Sequence, residues 1–88
     1  MDKVKEISDI RHIRIFMDQK RQHILQVLRG KQEPMTSKQI ADALGLNPAT
    51  IHFHTNKLLS IGVLKIVRTE VIHGITAKYL EPAAVNFK

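Results

Sequence analysis

A chain of 88 residues is one small domain with a modest core. Hydrophobic residues make up 43% and charged residues 25%, a globular rather than disordered balance; the absence of cysteine excludes disulfide frameworks, thiolate metal sites and cysteine nucleophiles. The net charge of +6 points to polyanionic partners, nucleic acid first and an acidic membrane surface second.

No apolar run approaches the ~20 residues that span a bilayer. The start, "MDKVKEISD", is charged and has no apolar signal core, so a cytoplasmic location is expected. No repeat, low-complexity tract or linker divides the chain. Residues 1–88 therefore read as a single domain.

The first predicted helix is "IRHIRIFM", with Ser8 and Asp9 as N-cap candidates and Ile10, Ile13, Phe16 and Met17 on one face. A strand competes there, because Ile13, Ile15 and Met17 also alternate. The second helix lies in "DQKRQHILQVLRG": Asp18 caps it, Ile24, Leu25, Val27 and Leu28 form its apolar side, and Gly30 ends it. "KQEP" is a loop.

The third helix starts at "MTSKQIADALG". Thr36 and Gln39, three apart, are spaced as a capping box, with Met35 and Ile40 placed to close over it as a hydrophobic staple. Ile40, Ala41 and Leu44 form the buried face, and Gly45 supplies a left-handed stop. The fourth helix follows almost at once, with Asn47 as N-cap and Pro48 at the first helical position, where its missing N–H costs nothing. Gly62 ends it.

Beyond Gly62 the period changes to two. "VLKIVRTEV" alternates Leu64 and Ile66 against Lys65 and Val67, "HG" at His73–Gly74 is a turn, and "ITAKYLE" alternates Ile75, Ala77 and Tyr79 against Thr76, Lys78 and Leu80. Together these make a β-hairpin that Pro82 ends.

The fold class is therefore mainly α with a β-hairpin: a helical core, a helix-turn-helix over about 37–61 and a two-stranded wing over about 63–81. Only "GLN" separates the middle helices. The second of that pair has a polar outer face and fits the major groove of DNA, while the first braces it.

On a helical wheel Ile51 and Leu58 define the inner face of the fourth helix, with His54 and Thr55 between them. The Thr55 hydroxyl can bond back to the preceding turn. Thr50, His52, Phe53, Asn56 and Lys57 face outward, with Ala49 near the tip. His52 and His54 project about 200° apart and cannot share a metal ion, so no metal or other cofactor is expected. No catalytic constellation is visible, which argues against an enzyme.

Each outward residue has a DNA chemistry. Asn56 can pair bidentately with adenine and Phe53 can pack on a thymine methyl. His52 is a contact candidate, and Lys57 suits a phosphate. Thr50 and Asn47 stand near the helix N-terminus, where the dipole favours an anion. From Ala43 to Thr69 there is no acidic residue, while Lys57, Lys65 and Arg68 fall in that window and Lys78 follows on the facing strand. Arg68 and His73 are the wing candidates for backbone or minor groove. Ser37, Lys38 and Gln39 are further phosphate candidates.

Three stretches resemble the ArsR-type winged-helix transcription regulators: "ISDIRHIRIFMDQKRQHILQVL", "MTSKQIADALGLNPATIHFHTNKLLSIGVL" and "GITAKYL". The middle one is the most specific. The resemblance implies a repressor-like protein on double-stranded DNA, normally a homodimer on a palindromic operator. It also implies a leucine where Thr55 stands, and effector sites of cysteines or histidine–carboxylate pairs, for which this chain has no cysteine. The family's C-terminal dimer helix has no counterpart in "EPAAVNFK". Dimerisation is then expected to rest on the N-terminal helix, or the sequence to be a domain of something longer. The competing reading is a winged-helix protein-interaction module that uses Phe53, Val71 and Ile72 and does not read DNA.

Overall fold

The computed structural model describes residues 5–7, 9–83 and 85–87. In chain order the elements are β1 (Lys5–Ile7), α1 (Ile10–Met17), α2 (Gln19–Lys31), α3 (Ser37–Leu44), α4 (Pro48–Ser60), β2 (Leu64–Ile72), β3 (Ile75–Pro82) and β4 (Val85–Phe87). The four helices and the β2–β3 hairpin make a winged helix-turn-helix. β1 and β4 pair in parallel, Lys5 opposite Val85 and Ile7 opposite Phe87. The sequence predicts neither strand. Three residues are too few for a periodic signal, and their pairing joins segments at opposite ends of the chain.

The helix starts follow local chemistry. Asp9 caps α1, accepting the Arg11 N–H at 2.8 Å, while the other candidate, Ser8, lies outside the described residues. The Arg11 guanidinium, 2.8 Å from Asp9, holds that carboxyl well below the usual carboxylate range. Asp18 caps α2 through the N–H groups of Lys20 and Arg21. α2 does not stop at Gly30. It runs through Lys31, and Gln32 takes the left-handed position with φ 57°. Pro34 disfavours helical geometry at Glu33, so the chain must leave the helix just before it.

Thr36 and Gln39 form the expected capping box: Gln39 N–H donates to Thr36 Oγ1 at 3.1 Å, and Thr36 N–H donates to Gln39 Oε1 at 3.0 Å. Met35 and Ile40 are both buried in the same core cluster. At Gly45, φ 67°, the chain reverses, with Leu46 N–H bonded to the Ala41 carbonyl. This is a Schellman stop. Asn47 Oδ1 then accepts the Ala49 N–H and Pro48 opens α4. A second Schellman pattern ends α4 at Gly62, where Val63 N–H reaches the Leu58 carbonyl at 3.0 Å.

The core is built from Ile24, Leu25 and Leu28 of α2, Ile40 and Ala41 of α3, Ile51 and Leu58 of α4, and the connection Ile61, Val63 and Leu64. Each fully buried Ile or Leu contributes about 1.5–3 kcal/mol. On α1 only Phe16 is buried and Ile13 and Ile15 pack partly against the cluster; Ile10 and Met17, expected on the same face as Phe16, are exposed. Eight residues make two turns, and the helix meets the core through Ile13, Ile15 and Phe16 in its second half, which leaves Ile10 at its start outside.

The wing turns at His73 and Gly74, with φ 51° and 77° and with Ile72 opposite Ile75. Two left-handed residues in a two-residue loop match a type I′ turn. β3 also pairs with Met35, exchanging both backbone bonds between Met35 and Leu80, so β3 lies between that residue and β2. The simple alternation expected for the hairpin fails at two places. A register shift between Ile66 and Arg68 leaves Val67 unpaired, with Ile66 and Val67 both exposed. On β3, Tyr79 and Leu80 are both buried although they point to opposite faces. Leu80 enters the core, whereas Tyr79 is covered by Arg68 and bonded to Glu70 Oε2 at 3.0 Å. The Glu70 carboxylate, with burial, pushes the Tyr79 phenol above its usual pKa.

Candidate nucleic-acid interface

α4 presents the faces that its helical spacing predicts. Ile51, His54, Thr55 and Leu58 are buried, while Ala49, His52, Phe53, Asn56 and Lys57 are exposed and Thr50 is half-buried. Asn47 is exposed at the helix start, its side-chain oxygen engaged in the cap.

A cleft of about 700 Å³ runs between the start of α3, the outer face of α4 and β3. α3 contributes Ser37, Lys38, Gln39 and Asp42; α4 contributes His52 and Asn56; the wing contributes His73, Thr76 and Lys78. Half of the residues picked out by sequence thus meet in one concavity. Thr76 was not among them. Its signal is the two-residue spacing to Lys78, which sets both on one face of β3.

Other candidates lie outside the cleft. Asn47, Ala49, Thr50, Phe53 and Lys57 extend along α4 beyond it. Arg68 does not join His73. Its guanidinium stacks 3.9 Å from the centre of the Tyr79 ring and lines a separate hollow of about 440 Å³ with Lys31, Glu33 and Asp42. The register shift at Val67 sets Arg68 opposite Tyr79 and so fixes that direction. Lys65, part of the basic window, is paired with Glu81 at 3.2 Å.

Two internal contacts hold α4 in place. Thr55 Oγ1 donates to the His52 carbonyl at 3.0 Å and lies 3.2 Å from Ser37 Oγ. Because the Thr55 proton is already used, Ser37 is the donor between the two hydroxyls. The second contact was not anticipated. Arg21, a buried residue of α2, donates from Nε to His54 Nδ1 at 3.0 Å and from Nη1 to the Ile15 carbonyl at 3.0 Å. The imidazole therefore carries its proton on Nε2. Burial first, and then the Arg21 charge, push the His54 pKa below its ordinary value. Among the described residues no group of three or more His, Asp or Glu side chains is placed to hold a metal ion.

The family of winged helix-turn-helix DNA-binding domains matches residues 17–65, more than half of the chain, from the end of α1 to the start of β2. The chain belongs to that family. DNA is accordingly the partner of this winged helix-turn-helix domain. No curated protein matches the chain. No helix among the described residues is long and apolar enough to cross a membrane.

Proposed function

We propose that this winged helix-turn-helix domain is a sequence-specific transcription regulator of the ArsR type, acting in the cytoplasm as a repressor. α4 enters the major groove and the wing meets the backbone or minor groove. The observation that carries this reading is the cleft shared by the start of α3, the outer face of α4 and β3, with Lys38 and Lys78 on its two walls. A DNA strand seated there meets cations from both sides while Asn56 and His52 face the bases.

The remaining contacts divide by chemistry. Asn56 suits adenine, His52 a base edge, and Phe53 a thymine methyl. Lys57, Thr50, Asn47 and Ser37 suit phosphates near α4. Gln39 uses its carbonyl oxygen in the capping box, which leaves its amide N–H groups free to donate to a phosphate. Ala49 lets the helix tip approach the groove floor closely. His73 serves at the wing tip, and Arg68 reaches the backbone on releasing Tyr79. Ile10 and Met17, exposed on α1, supply an apolar surface for a homodimer.

Selection of bound sequences from random DNA, run with a salt titration and a measurement of oligomeric state, tests the proposal. The expected result is a defined half-site, affinity falling steeply with salt, and half-sites about one helical turn apart on a dimer. Absence of any preferred sequence at physiological salt overturns it. One observation favours a second reading as a protein-interaction module: Val71 and Ile75 at the wing tip are 70% and 72% exposed. Charge reversal at Lys57 and Arg68 separates the two, since DNA binding is lost and a partner held by the wing tip is retained.

A further inference from the structure

Arg21 is a cation placed among core helices, and each of its polar contacts holds something else still. One guanidinium nitrogen bonds the Ile15 carbonyl at the end of α1, and another bonds His54 Nδ1 on α4, both at 3.0 Å. The preceding residue, Phe53, sets its ring edge-on to the imidazole, centroids 5.3 Å apart and planes at 71°. The Arg21 guanidinium stands 5.9 Å from the Phe53 ring centre and the Lys57 ammonium 5.7 Å from it. A phenyl ring that is 53% exposed thus has three oriented neighbours.

An exposed phenyl on a helix face commonly samples several rotamers, and ordering it on binding costs entropy. Here three neighbours stand in place to restrict it beforehand. A phenyl has no polar atom, so in the major groove the base feature it distinguishes best is the C5 methyl of thymine, the apolar group on those edges. Discrimination of one methyl requires the ring to be in van der Waals contact with it.

We propose that Arg21 is a positioning residue for base recognition: through His54 it fixes the Phe53 ring so that its exposed edge meets a thymine methyl. The inference rests on the DNA-reading function above. It also makes the contact sensitive to acid. The charged groups facing His54 are Arg21 and Lys20, which oppose its protonation, and Asp18, which favours it, all at the start of α2 or beside it. A protonated imidazole presents N–H at Nδ1 to the Arg21 N–H, and the bond that orients the ring is lost.

The test uses the sequence selected from random DNA, with each thymine in turn replaced by deoxyuridine, which removes only the methyl. Wild type loses about fourfold in affinity at one thymine, the value of one buried carbon. Phe53→Ala binds both forms equally. Arg21→Lys loses the discrimination and keeps the salt dependence, which counts phosphate contacts. His54→Gln offers Arg21 an amide oxygen and keeps the discrimination as the pH is lowered; the wild type loses it on the acid side of the His54 transition, followed by NMR. Equal weakening of thymine and deoxyuridine sites by Arg21→Lys overturns the proposal, because a purely structural role predicts that result. If Arg21→Lys does not fold, the wild type and His54→Gln compared above and below that transition decide alone, and discrimination that persists in the wild type with its histidine charged overturns it. A defined operator with no thymine effect at any position overturns this inference and leaves the DNA-reading function standing; no sequence preference at all overturns both.

Discussion

Ser37, the first residue of α3, donates its hydroxyl proton to Thr55 in the middle of α4 across 3.2 Å, and Thr55 passes its own proton to the His52 carbonyl. The two helices of the helix-turn-helix are thereby joined by a polar bond at a position 1% exposed. Thr55→Val keeps the shape and removes both bonds. The variant should unfold with about 1–2 kcal/mol less stability in a denaturant titration. A neutral result would show that packing alone, without the two hydroxyl bonds, holds α3 against α4.

Burial of His54, and then the Arg21 charge beside it, make stability depend on pH. The folded state depresses the His54 pKa, so the unfolded chain takes up a proton that the folded one resists. The contribution is therefore fully present above the unfolded value of about 6.5 and is lost as pH falls through the folded value. The melting temperature should fall as the pH drops below about 6.5, and His54→Gln should flatten that part of the curve. An unchanged slope in the variant would assign the effect to other groups.

Two glycines should respond in opposite senses. Gly30 lies inside α2 with nothing within 4 Å of where a Cβ would stand, so Gly30→Ala should stabilise the domain by about 0.5–1 kcal/mol. Gly45 also has open space around it but holds φ at 67°. Gly45→Ala should cost about 1 kcal/mol. Thermal unfolding of the pair distinguishes helical entropy from left-handed strain.

Asn56 and Lys78 face the same cleft from opposite walls and should fail differently. Asn56→Ala should cost roughly 1–3 kcal/mol on the selected sequence and relax preference at one base. Lys78→Ala should weaken binding to all sequences alike and lower the slope of affinity against salt by about one. Binding isotherms at several salt concentrations on selected and scrambled DNA check both. Uniform loss for Asn56→Ala would make it a phosphate contact.

What was legible in the sequence was what depends on near neighbours. The Thr36–Gln39 box, the reversal at Gly45, the cap at Asn47 and the turn at His73–Gly74 are decided within a few residues, and so is the division of α4 into faces. What depends on docking was not legible. Arg21 and His54 lie 33 positions apart, and a lone arginine in a helical pattern reads as surface. The unpaired Val67 breaks the period of two, so sequence alone sends Arg68 toward His73 when the structure lays it on Tyr79. The candidate cleft was legible on its α4 side. Its wing side depends on which edge of β3 turns toward the helices, and the bridge to Met35 decides that.

That bridge also gives the hairpin a fulcrum. The backbone bonds between Met35 and Leu80 clamp the base of β3 to the helical body, and from Leu80 to Ile75 the strand runs outward for roughly 17 Å. Over that arm a tilt of about 10° carries the tip about 3 Å. α4, by contrast, is bolted to α2 and α3 through Arg21 and Ser37. One half of the reading surface is thus bonded into the core and the other projects from it on a single clamp, an arrangement suited to a fixed register on the bases and a wing that accommodates grooves of different width.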